Sequence, residues 1–267
     1  GLIPCPAAIT VLLLCLQLRE LALGAALVLC FSIGLALTLV AVGVLDMALW
    51  DAEAKIAQLP LHRLLRQRFG EVPAPVDVPA YASGGYLYPE DDPRRLRDEM
   101  TVLRDQGYDR VKIKIGATSL ARDLERVEVA IEVFGPHRVA VDAMNSYDAR
   151  QSHEAARVLT PLRLMWFEDI CDPLDFETHA AVASLYEPPI AAGEALFSDA
   201  EAKLLDRHGG LRHDRDILLF DPVHCYGLPG YLRIIEAMEM RGWSRKAFWP
   251  HGGHLFSLHV ASALGLG

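Results

Sequence analysis

Two hydrophobic textures divide the chain near Gly43. Before it, apolar residues run on without a period. ITVLLLCLQL is followed by Arg19 and Glu20, and then LALGAALVLCFSIGLALTLVAVGVL, from Leu21 to Leu45, holds 25 residues with only Ser32 and Thr38 as polar side chains. About 20 apolar residues are enough to cross a hydrocarbon core. Gly24, Gly34 and Gly43 would suit close helix packing there. No basic stretch precedes the run, as one would in a signal peptide. The pattern therefore predicts a transmembrane helix, with membrane association through residues 7–45. From Gly43 the pattern becomes amphipathic: Leu45, Ala48, Leu49, Ala52 and Ile56 recur at helical spacing with charges between them. After Gly70, VPAPVDVPA marks a boundary.

Beyond residue 79 short apolar strands alternate with helical patterns. YDRVKIKIG, HRVAVDA, RLMWFE, PPIAAGE, DILLFD and KAFWPH read as strands. SLARDLERVEVAIEVFG, YDARQSHEAARVLTPL, ETHAAVASLYE, SDAEAKLLDRHG and GYLRIIEAMEMRG read as the helices between them. Such βα alternation predicts an α/β fold with a parallel sheet or barrel.

The strand ends share a feature. Lys114, Asp142, Glu168, Glu194, Asp221 and His251 follow one another at 28, 26, 26, 27 and 30 residues, about one βα unit each. Each closes a strand at its C-terminal end. In a barrel those ends converge on one mouth, where an active site belongs. Asp142, Glu168 and Glu194 would then be three hard oxygen ligands on adjacent strands. They would repel one another unless a cation lay between them, and oxygen-only ligation suits Mg2+ better than zinc. Lys112 and Lys114, two residues apart, share one strand face. A lysine in such a mouth can act as a base. Asp221 precedes His251 by one unit and would orient it. A metal-held carboxylate substrate with a base on one side and an acid on the other would lose an α-proton and then a β-hydroxyl, which is dehydration. If both groups act on one carbon the result is racemisation or epimerisation.

The net charge of −9 disfavours general nucleic-acid binding. Five cysteines, with no CxxC pair, argue against a disulfide framework or a zinc site and for free thiols in a reducing compartment.

Two resemblances add to this reading. GLIPCPAA and the apolar helices after it resemble the nickel/cobalt efflux permeases over about the first 43 residues. This implies a permease fragment in the membrane, without the metal-bearing helices of that family. From about residue 43 to 267 the chain resembles the enolase superfamily in its mandelate racemase branch: VKIKIG carries the KxK pair, VDAMN the first metal ligand, WFED the second and AAGE the third. EDICDPLDFE, GEALFS, DRDILLFDPVHCYGLPGYL and PHGGHLFSLHVASALGLG resemble the D-tartrate dehydratases. The resemblance implies a Mg2+-dependent hydro-lyase acting on a hydroxy acid or acid sugar. Lys114 would be the base, His251 the acid paired with Asp221, and Lys112 a holder of the substrate carboxylate. Asn145, His224 and His254 would touch substrate. Asn145 stands one place later than the family's asparagine, and Met144 fills that place.

The expected organisation is an apolar segment over 1–43, a remnant helix of a capping domain and a connector over 44–78, and an incomplete TIM-type barrel over 79–267. The chain stops at Gly267, 16 residues after His251, so the resemblance implies a (β/α) barrel truncated before its last strand, with the apolar segment in place of the cap. An inactive truncated fusion is the alternative this raises. A cytoplasmic barrel and a homo-oligomer covering its open edges complete the expectations.

Overall fold

The computed structural model describes residues 21–70, 77–90 and 92–267. Two helices come first, α1 (Leu21–Ile56) and α2 (Leu61–Phe69). The sheet follows as β1 (Ala82–Gly84), β2 (Val111–Lys114), β3 (Val139–Asp142), β4 (Phe167–Glu168), β5 (Ile190–Ala192) and β6 (Ile217–Leu218). Helices α3 (Asp92–Asp105), α4 (Leu120–Phe134), α5 (Ala149–Leu159), α6 (Phe176–Leu185) and α7 (Asp199–His208) connect consecutive strands, and α8 (Leu228–Glu239) and α9 (Leu255–Leu264) come after β6. The six strands pair in chain order, and every pairing is parallel. This is the βα succession of a parallel barrel wall, with two helices ahead of it among the described residues.

The expected strand over KAFWPH is shorter than the sequence suggests. Arg245–Ala247 is a 3-10 turn, and Phe248 makes a single parallel bridge to Leu218. Trp249 N donates to Leu218 O at 2.9 Å and His251 N to Leu219 O at 3.3 Å, so the backbone still runs along β6. β1 and α3 are additions to the sequence reading. Ala-Ser-Gly is a poor strand former, and pairing of Ala82, Ser83 and Gly84 with Val111, Lys112 and Ile113 decides its conformation instead.

Alternation sorts the strand residues. Val139 and Val141 of β3 join the large core under the helices, whereas Ala140 joins a small interior cluster with Trp166, Ala191 and Leu219, edged by Tyr81 and Trp249. Asp142, two residues beyond Ala140, therefore shares the interior face. The same parity places Lys112 and Lys114 inward while Val111 and Ile113 face the helices. Helix starts are capped as the chemistry dictates. Asp148 and Gln151 form a reciprocal capping box on α5, and Ser198 and Glu201 form one on α7.

The expected transmembrane helix requires correction. Among the described residues, no helix is long and apolar enough to cross a membrane. The helix carrying the apolar run does not stop at Leu45 but continues through Asp46, Asp51, Glu53 and Lys55. It is also fastened to the barrel. A Cβ at Gly43 would stand 2.9 Å from Val223 Cγ1, so glycine permits the close approach. Asp46 Oδ2 accepts from Leu228 N at 2.7 Å. That bond supplies the cap that Gly227, at the N-cap of α8, has no side chain to provide. The GLIPCPAA motif and ITVLLLCLQL lie outside the described residues. α2 packs on α9, where Arg66 Nη2 donates to Ser262 O at 2.9 Å.

Candidate active site and metal centre

Sheet register builds the site. Lys114 lies beside Asp142, and Asp142 beside Glu168, so three ionisable side chains form one row across β2, β3 and β4. Lys114 Nζ ion-pairs with Asp142 Oδ2. Lys112, one pleat deeper and 3% exposed, ion-pairs with Glu168 Oε1 and lies 3.3 Å from Asp142 Oδ2. Asp142 is not a helix cap: its Oδ1 accepts from Met144 N at 2.8 Å, within the turn that leaves β3. Trp166 Nε1 donates to Glu168 Oε2 at 2.7 Å.

Glu194 reaches the site by a different route. β5 ends at Ala192, and Gly193 has φ 121°, a left-handed conformation set against the Phe220 ring. This breaks the two-residue alternation, and Glu194 turns to ion-pair with His251 Nδ1. Met144, Asn145 and Asp169 also have positive φ, at 52°, 55° and 47°. Side chains other than glycine in that region concentrate where function constrains the backbone.

The expected pairing of Asp221 with His251 also requires correction. His251 pairs with Glu194. Asp221, 1% exposed, accepts from Val223 N at 2.8 Å and from Ser257 Oγ at 3.2 Å, and lies 3.4 Å from His254 Nε2. The reason is local. Asp221 stands three residues past β6 and folds back on its own turn, and α9 brings His254 and Ser257 to it. The His224 ring lies 5.8 Å from that of His251, at the mouth. Asn145 faces Asp169: its backbone N donates to Asp169 O at 2.6 Å and its side chain to Oδ2 at 3.4 Å.

The electrostatics are crowded. Burial pushes Glu168 up to about 7, outweighing Lys112 and Trp166. Burial, with Glu194 and Glu168 nearby, holds Asp169 well above the usual carboxylate range. For Asp142, burial acts upward, but the two lysines prevail and its pKa is lowered. Glu194 likewise falls to about 2, because His251 and Asp169 outweigh its burial. Hydrogen bonding to Glu194 raises His251 against the effect of burial. Burial would lower Lys112, but Glu168, Tyr81 and Asp142 together raise it.

Oxygen atoms of Asp142, Glu168 and Asp169 lie within 4.8 Å of one another, as do ligand atoms of Glu168, Glu194 and His251. The expected carboxylates thus fall into two groups joined at Glu168. More acid is gathered here than the local cations neutralise, and the donors are mostly hard oxygens. This set fits Mg2+. Lys112, Lys114, His251 and His254 line a cavity of about 700 Å³ between β1 and the Phe248–Trp249 segment.

Residues 95–266 match the family described as enolase C-terminal domain-like. The chain belongs to that family. It is 31% identical over 222 residues to an arabinonate dehydratase of Saccharolobus solfataricus, covering 82% of this chain and 57% of the relative. An L-talarate dehydratase of a Polaromonas species, solved with Mg and L-glucarate, superposes with a TM-score of 0.70 at 29% identity, covering 88% of this chain and 63% of that one. The chain thus spans little more than half the length of these acid-sugar dehydratases. A separate stretch of 44 residues is 82% identical to the nickel/cobalt efflux system RcnA of Citrobacter koseri, covering 16% of this chain and 15% of that protein. Both expected resemblances are met.

Trp166 and Asp169 are site residues that the sequence reading passed over. The first had a signal: in WFED, Trp166 and Glu168 are two apart on a strand and share a face. Asp169 had none, because its inward turn depends on a positive φ.

Proposed function

We propose that this chain is the barrel of a Mg2+-dependent dehydratase acting on an acid sugar of the aldonate or aldarate class. The observation that carries this reading is the row Lys114–Asp142–Glu168 in one register, with Glu194 and His251 closing the same mouth. Asp142, Glu168 and Glu194 would hold the metal. When bound, it would withdraw electron density from the substrate carboxylate and make the neighbouring C–H more acidic. Lys114, on the more exposed side of the row, takes the α-proton. The β-hydroxyl departs as water with a proton from His251, and the enol left behind tautomerises to a 2-keto acid. Lys112 adds positive charge on the side where the carboxylate would lie. Asn145, His224 and His254 would contact the rest of the substrate. Free thiols at Cys30, Cys171 and Cys225 favour a reducing compartment such as the cytoplasm for the barrel.

The test is a panel of aldonates and aldarates with Mg2+ in D2O, followed for keto acid and for deuterium at the α-carbon. Keto acid is expected, and Lys114→Ala should lower kcat by roughly 10²–10⁴. If no acid yields keto acid or exchanges its α-proton, the proposal fails. Lys114 and His251 border one cavity, which also supports epimerisation as a second reading. Deuterium incorporation without keto acid would select it.

A further inference from the structure

We propose that Trp166 is the positioning residue for Glu168, its indole N–H fixing one carboxylate oxygen so that the other faces a divalent cation. The inference rests on the reading of Asp142, Glu168 and Glu194 as the metal-holding set.

Glu168 is fully buried, and its two oxygens have different partners. Oε1 meets Lys112, a long side chain that can withdraw. Oε2 accepts from Trp166 Nε1 at 2.7 Å, from a side chain that cannot. Trp166 is 1% exposed. Tyr81 packs edge-on at 5.1 Å between ring centres, and Trp249 does so at 5.4 Å. The flanking strands contribute Ala140 and Ala191, both fully buried in the same interior cluster as Trp166, and these small residues make room for the indole. The ring is therefore held on several sides, and its N–H direction is set by packing.

The donor type matters as well. An indole only donates, and it is neutral. It satisfies a buried carboxylate oxygen without adding positive charge that would repel a cation. A lysine or arginine there would compete with the metal for the carboxylate. Outer partners that orient ligands in this way typically contribute 10–100-fold to metal affinity.

The experiment titrates the full chain with Mg2+ by calorimetry and by tryptophan emission. Trp166→Phe keeps the aromatic packing and removes the N–H. Its Mg2+ affinity should fall about tenfold, with circular dichroism unchanged. Trp249→Phe disturbs the same aromatic cluster, but Trp249 Nε1 donates to Lys246 O and not to Glu168. Its affinity should stay within about twofold of the parent, because no bond to a ligand is lost. The Mg2+-dependent emission change should persist in Trp249→Phe and vanish in Glu168→Gln. If Trp166→Phe folds and binds Mg2+ as the parent does, while Glu168→Gln does not bind, Trp166 has no positioning role. If Trp166→Phe does not fold, the emission change decides, and a flat response in both parent and Trp249→Phe overturns the proposal. If Glu168→Gln binds as tightly as the parent, the metal reading itself fails and takes this inference with it.

Discussion

Lys112→Met would separate the charge role of Lys112 from its packing. Methionine keeps the length and apolar stem but removes the ammonium that sits against Glu168 Oε1 and 3.3 Å from Asp142 Oδ2. All three side chains are 3% exposed or less, so solvent offers almost no screening. Removing one partner of a buried pair leaves an uncompensated charge and costs about 3–5 kcal/mol. For a barrel of this size, roughly 2–4 °C of Tm is lost per kcal/mol, so a fall on the order of 10 °C is expected in EDTA. Mg2+ should then act differently on the two proteins. In the parent, Lys112 already neutralises part of the cluster and competes for Glu168. In the variant, the cation meets no competitor. At a hundredfold excess over its Kd, bound Mg2+ stabilises by about 2.7 kcal/mol, so much of the loss should be recovered. Thermal unfolding of both proteins with EDTA and with Mg2+ measures this. If Lys112→Met melts at the parent's temperature without metal, or if Mg2+ raises the parent more than the variant, the carboxylates are not the crowded cluster described here.

Gly193→Val forces a β-branched residue into φ 121° and against the Phe220 ring. It should weaken Mg2+ binding by displacing Glu194 and lower stability by more than about 1 kcal/mol, as read by calorimetry and denaturant unfolding. Asp46→Ala removes the carboxylate that accepts from Leu228 N. It should cost about 1 kcal/mol, with hydrogen exchange rising at the start of α8 and in α1. Asp206 is half-way to a pH sensor for stability: burial acts upward on it, but hydrogen bonds from Trp243, His213 and Arg241 prevail and lower it from the ordinary 3.8. A depressed carboxylate contributes stability that is complete above its unfolded value and is lost as pH falls through its folded value. Asp206→Asn should therefore be less stable than the parent at neutral pH, and the gap should narrow below about pH 4; equal slopes in acid titration of unfolding would contradict this.

The row of Lys114, Asp142 and Glu168 was legible in the sequence because a parallel sheet converts one βα interval into one lateral step. Lys114, Asp142 and Glu168 each end a short apolar run. The register pairs them directly, so spacing alone brought them together. The helices between them were legible from their periodicity and caps, as with Ser198 and Glu201 on α7. β1 was not legible because Ala-Ser-Gly carries no strand signal of its own and forms only against β2. The apolar run before Gly43 was legible as a helix but not as to its surroundings. Hydropathy records what a helix avoids, and the contacts at Val223 and Leu228 come from residues about 180 positions later.

Histidine pairing marks the limit of the spacing argument. Asp221 and His251 follow the same interval as the row, yet both lie beyond the regular strands, where the two-residue alternation no longer dictates direction. Past that point each side chain goes to the strongest partner within reach. For His251 that is Glu194, which Gly193 has turned inward. For Asp221 it is the N–H of Val223 and the start of α9, where His254 also accepts from Ser257 N at 3.2 Å. Two imidazoles three residues apart thus serve different carboxylates. Glu194 is also one of the proposed metal ligands, so His251 and a cation would draw on the same carboxylate. The histidine is then tied to the metal set itself, whereas His254 is held by Asp221 outside it. Spacing can place residues at the mouth, but only the turns that follow the strands decide which acid each histidine meets.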